Sequence, residues 1–147
     1  EERQMFLPDK NAAGNAIPWE YLPAGAITPK VGMALVQTGG NLAGAKGTNL
    51  PTYISMMESD AALAAGTVIP VIRVDSDTIY ETTNSAAFTS VKQGDKVALH
   101  ASDGLQVTAA TAGGVAEVVD FDDAAKAGAG GVVHVRFPAQ TAAAAAS

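Results

Sequence analysis

Apolar positions along this chain come in short alternating runs separated by glycine, the pattern of a β protein with tight turns. The runs are Lys30–Val36, Gly39–Ala43, Pro51–Met56 and Val68–Val74, followed by Val91–Leu99, Asp103–Val107, Gly114–Val119 and Val132–Phe137. At the centre, Gly66–Glu81 carries the β-branched residues Val68, Ile69, Val71, Ile72 and Val74, then Asp75-Ser76-Asp77, then Thr78-Ile79-Tyr80. That order predicts two strands joined by a short turn and marks a hinge between two halves. Pro70 has no amide proton, so its strand is expected to pair on one side only there.

The second half repeats the first. Lys30 and Lys92, like Gly66 and Gly128, are 62 residues apart, whereas Leu42 and Leu105, like Arg73 and Arg136, are 63 apart. Asp60–Gly66 reads as one or two helical turns closed by glycine, and this Ala-rich loop recurs at Asp122–Gly128. One inserted residue accounts for the whole series, which points to an internal duplication. The expected fold is all-β, a small barrel or sandwich of two similar units covering about 27–80 and 89–137. Residues 81–90 are polar and hydroxyl-rich and read as a strand end with its connecting loop.

Residues 1–26 contain Pro8, Pro18 and Pro23 without a clear period and read as an extended N-terminal arm. Within it, Trp19 and Tyr21 either fold back on their own domain or dock on a neighbouring subunit, as aromatic anchors do. Beyond Phe137, residues 138–147 are low complexity, and an Ala run this short is marginal as a helix by itself. The opening Glu1-Glu2-Arg3-Gln4 does not read as a signal peptide, and the missing initiator Met is expected of a processed or internal start.

Composition narrows the functional classes. A formal charge of -6 without clustered cations argues against nucleic acid as a partner. The chain has no Cys, which removes disulfides and thiolate metal sites, and no apolar run long enough to span a membrane. Alternation places His100 beside Lys96 and Ala98, opposite Val97 and Leu99, and places His134 and Arg136 opposite Val133, Val135 and Phe137. Both histidines are therefore expected at solvent or at an interface. No Gly-x-Ser-x-Gly elbow supports a catalytic triad. Asp75–Asp77 and Asp120–Asp123 lack EF-hand spacing and fit turn capping, while Gly39-Gly40-Asn41 and Gly113-Gly114 lack the Lys-Ser of a phosphate loop. The sequence thus predicts no enzyme, cofactor or metal.

The segments Gly25–Leu35, Pro51–Met56, Ile69–Val74, Tyr80–Thr83 and Asp103–Ala109 resemble, as an ordered series spanning about 19–137, the small decoration or cement proteins of tailed-bacteriophage heads. The resemblance implies a β-rich structural virion protein, commonly trimeric, that sits on the capsid outer surface, binds the major capsid protein and bridges capsomers. On that footing, Phe6, Leu7, Trp19, Tyr21 and Leu22 are the candidate partner-binding residues, chosen on interface chemistry. The competing expectation is a free cell-surface or carbohydrate-binding β module, and a small β-barrel hydrolase is a third.

Overall fold

The computed structural model describes residues 6–10, 19–102 and 104–138, with the backbone alone for 7–10. Its strands form two sheets. The first is a closed barrel of β2 (Trp19–Ala24), β4 (Asn41–Gly44), β3 (Ala34–Thr38), β5 (Tyr53–Ser55) and β6 (Thr67–Arg73), in that spatial order. In the second, β1 (Leu7–Lys10), β7 (Ile79–Thr83), β10 (Val132–Arg136), β9 (Ala116–Phe121) and β8 (Lys96–Val97) lie side by side, and a short helix, α1 (Asp123–Ala127), precedes β10. The fold is all-β, as the alternating pattern requires.

Alternation divides the barrel strands between two cores. Leu35, Leu42, Tyr53, Ile69 and Val71 point inward and pack on Ala24. Their neighbours Ala34, Ile54 and Ile72 point outward and join a larger core with Tyr80, Phe88, Val97, Leu99, Val107, Val118, Val133, Val135 and Phe137 from the second half. At its centre the Phe6 and Phe137 rings meet edge to face at 5.4 Å, with Tyr80 5.5 Å from Phe137. Burial pushes the Tyr80 phenol up to about 12, opposed by the Asp75 backbone and the Thr78 side chain and aided by the Asp75 charge.

The duplication is present in the hydrogen bonds. The amide of Gly32 donates to the carbonyl of Ser55, and that of Gly94 to Val118, both at 2.8 Å. Thr52 donates to Leu35 as Val115 does to Val97, and Gly66 to Ala24 as Gly130 does to Asn84. Gly32 and Gly94 share a positive φ, 82° and 89°, which an L side chain rarely adopts. The ladders agree too: Trp19↔Ile72 and Glu20↔Val71 on β2/β6 match Tyr80↔Val135 and Glu81↔His134 on β7/β10. Even the parallel Ala24↔Leu42 pair that closes the barrel has its counterpart in the Asn84↔Val107 bridge.

Several expectations are corrected. The units begin at β2 and β7, so they run 19–73 and 79–136 rather than 27–80 and 89–137. Residues 19–24 are therefore a barrel strand and not an arm. Pro23 is tolerated there because its nitrogen faces the edge of β2 away from β6. Phe6 is wholly buried and its amide donates to the Gly32 carbonyl at 2.7 Å, so it belongs to the core of its own chain. The two strands around Asp75–Asp77 do not pair with each other, because β6 lies in the barrel and β7 in the other sheet. Asp75 instead makes an Asx turn, its Oδ1 accepting from Asp77 N at 2.7 Å. The first Ala-rich segment, Asp60–Ala65, is loop, while the second forms α1 because Asp122 caps it, accepting from the Ala125 amide at 3.0 Å. Residues 1–5, 11–18, 103 and 139–147, including half of the expected arm and all but the first residue of the tail, lie outside the described residues.

Candidate functional site

The most exposed apolar surface lies on the outer face of β2 and β6. Trp19 is 55% exposed, Tyr21 66% and Val68 58%. Register explains why they cluster. Directly opposed residues of an antiparallel pair share a face, and Trp19↔Ile72, Tyr21↔Pro70 and Pro23↔Val68 are such pairs. Ile72 at one corner is buried against the second half, so the patch continues outward from the core between the two units. Large aromatics left in water on the outside of a barrel mark an interaction surface.

Of the five candidates chosen from sequence, the fold brings Trp19 and Tyr21 together here. Phe6 is removed into the core. Leu22 points to the opposite face of β2 and is half-buried against the barrel interior. Leu7 lies in β1, paired with Glu81. Val68 and Pro70 are the members that sequence reasoning missed. The signal was available in the odd appearance of an exposed Val and a Pro at even positions of β6, but only the β2/β6 register reveals it.

Charged groups sit on the other face. At one barrel mouth, Arg73 donates twice to the Glu20 carboxylate, from Nε at 3.0 Å and Nη2 at 3.1 Å, and its guanidinium lies 5.2 Å from the Tyr53 ring centre. The corresponding face of the second unit carries His134, whose Nδ1 is 2.6 Å from Asp120 Oδ1 and whose Nε2 is 3.3 Å from Glu81 Oε1. Carboxylates only accept, so both ring nitrogens are placed to donate, the arrangement that a protonated imidazole satisfies. Burial alone would lower the pKa of His134, but the hydrogen bonds and charges of Asp120 and Glu81 outweigh it and hold it above its usual value. Arg136 Nε donates to Glu117 Oε1 at 2.7 Å.

Two open grooves border this charged face. One, of about 370 Å³, is lined by Ile79, Gln93, Gly94, Glu117, Val118, Val119 and Arg136. The other, of about 310 Å³, is lined by Gln93, Asp120, Phe121, Asp123 and Lys126. Glu117 and Arg136 of the first groove pair with each other across strands, and Asp120 of the second pairs with His134, which is the chemistry of a sheet clamp. His100, the second histidine, has its Nδ1 2.9 Å from the Ser102 hydroxyl on an exposed loop. Among the described residues, no group of three or more His, Asp or Glu is arranged to hold a metal ion.

Fold and surface together define an all-β module of two like units whose distinguishing feature is an aromatic sheet face turned to solvent. No protein-family model matches the chain, and no curated protein or solved structure matches it.

Proposed function

We propose that this chain is a structural, non-enzymatic virion protein that coats the outer surface of a phage capsid, binds the major capsid protein and bridges capsomers. The observation that carries the reading is the exposed apolar Trp19–Tyr21–Val68 face, on a core that ties both units together. Such a face suits attachment to a broad protein surface, and attachment at many equivalent lattice sites gives a tight coat from modest contacts. The resemblance in the strand series supplies the capsid as the partner and implies a trimer.

Quantitative mass spectrometry of purified particles from the source tests this directly. A copy number comparable to that of the most abundant shell protein is the expected outcome, and absence from the particle would remove the proposal. Deleting residues 1–26 is unsuitable as a test of attachment, since it also removes β2 and Phe6 from the fold. The better variant is Trp19→Ala with Tyr21→Ala, which leaves the core untouched. It is expected to weaken rebinding to stripped shells by roughly a hundredfold, the loss of two interface aromatics. The same exposed aromatics also suit stacking on sugars, so binding of the chain to a glycan array without capsid would favour the carbohydrate-binding reading.

A further inference from the structure

The barrel is closed along only part of β2. The carbonyl of Pro70 accepts from Met56 N at 3.0 Å and the amide of Val74 donates to Thr52 O at 2.8 Å. Even-numbered residues of β6 therefore bond to β5, and odd-numbered ones to β2. By the β2/β6 register, Glu20 and Leu22 face Val71 and Ile69 as hydrogen-bonded pairs, and the Ala24 carbonyl accepts from Gly66 N at 2.7 Å. Trp19, Tyr21 and Pro23 aim their backbone groups at the opposite edge. There β4 reaches β2 only at Ala24↔Leu42 and then runs away from Trp19. Among the described residues, nothing pairs with the N–H and C=O groups of Trp19 and Tyr21.

The second unit shows that this edge accepts a strand. Tyr80 and Glu81 hold the positions of Trp19 and Glu20, and there β1 adds antiparallel to the edge, with Leu7↔Glu81 and Pro8↔Tyr80. It does so beside the Asn84↔Val107 bridge, the counterpart of Ala24↔Leu42, so an incoming strand and the closing pair coexist. In the first unit, among the described residues, no strand takes that place.

We infer that the free edge of β2 is a self-association site, pairing antiparallel with β2 of a second copy about a twofold axis. The open groups are self-complementary. With the axis at Glu20, Trp19 of one copy faces Tyr21 of the other, and the N–H and C=O groups of both residues in both copies are all satisfied. Trp19 and Tyr21 then contact each other across the strands, and the two patches join side by side into one continuous apolar face that stays available to a further surface. The two Glu20 carboxylates meet at the axis, each already neutralised by its own Arg73. Pro23, without an N–H, ends the ladder on one side. The contact is isologous and gives an even-numbered assembly, in contrast to the trimer that the resemblance implies.

Sedimentation equilibrium of the full chain, with the emission of Trp19 followed over a concentration series, tests the pairing. Trp19 is the only tryptophan, so its emission reports this edge alone. The wild-type chain is expected to form dimers, with a blue shift on association. Tyr21→Pro removes an N–H that takes no part in the chain's own ladder, and should weaken the dimer roughly tenfold or more while leaving the melting temperature unchanged. Tyr21→Phe keeps the backbone and should leave association intact. If Tyr21→Pro lowers the melting temperature, Trp19→Lys serves in its place, since a charge on an open edge blocks pairing without altering the backbone. A monomeric wild-type chain, a trimer, or dimers indifferent to both Tyr21→Pro and Trp19→Lys would overturn the inference. Blue-shifted emission from a monomer would also overturn it, by showing that a segment of the same chain covers the face.

Discussion

His134 is the residue at which this protein's stability responds to pH. Its two ring nitrogens face Asp120 and Glu81 on the neighbouring strands β9 and β7, so the charged imidazole ties three strands together. Folding raises its pKa above the unfolded value of 6.5, and the folded state therefore keeps the proton to higher pH than the unfolded chain. The stabilisation is complete below pH 6.5 and fades as the pH rises through the folded value. Thermal melts of wild type and His134→Asn at a series of pH values check this. The variant should be less stable by up to about 1 kcal/mol at pH 5.5, with the gap closing in alkali; a gap independent of pH would show that packing, not charge, is the source. The strand alternation in the sequence already placed His134 on the polar face opposite Val133 and Val135. Its carboxylate partners, 14 and 53 residues away, were not legible, because they depend on which strands become neighbours.

At the scale of elements, one side chain holds the α1–β10 connection to β7. Asn84 is wholly buried just after β7 and donates to the carbonyls of Ala86 at 2.7 Å, Ala125 at 2.9 Å and Gly128 at 2.8 Å, while its Oδ1 accepts from Gly131 N at 2.9 Å. Gly131 has no room for a larger residue, since a Cβ there would run into the backbone of Ala125. Asn84→Ala strands these backbone groups without partners and is expected to cost about 3 kcal/mol, read from the urea midpoint; a loss below about 0.5 kcal/mol would show that water replaces the amide. Ala24 stands at the same place in the first unit, so this bolt belongs to the second unit alone. It accompanies the short helix α1, whereas the sequence placed helical turns at Asp60–Ala65 and read the second segment as the recurring loop. Only the second copy offers Asp122 as a cap and a buried amide to receive the loop.

For the molecule as a whole, the two units share one core and behave as one cooperative body. Ala34, Ile54 and Ile72 of the first unit pack with Tyr80, Val133, Val135 and Phe137 of the second, and Phe6 lies among them. Cross-unit hydrogen bonds, from Ala34 N to Gly104 O and from Leu99 N to Gly47 O, both 2.8 Å, reinforce the joint. A single calorimetric transition is expected for the full chain, and a fragment of residues 19–77 should show no cooperative melt, because it exposes the outer face of its barrel. An independent melt of that fragment would mean that the inner core of Leu35, Leu42, Ile69 and Val71 suffices. The sequence by itself determined the β class, the duplication with its 62- to 63-residue offset, and the buried and polar faces of β10, because side-chain alternation and turn glycines are local properties of the chain. Tertiary structure alone decided that the expected arm supplies a barrel strand and a core phenylalanine, that the central strands part into different sheets, and that Trp19, Tyr21 and Val68 meet on an open edge. Those outcomes depend on pairings between distant strands, whose register is fixed by burial on one face and not by anything a single strand encodes.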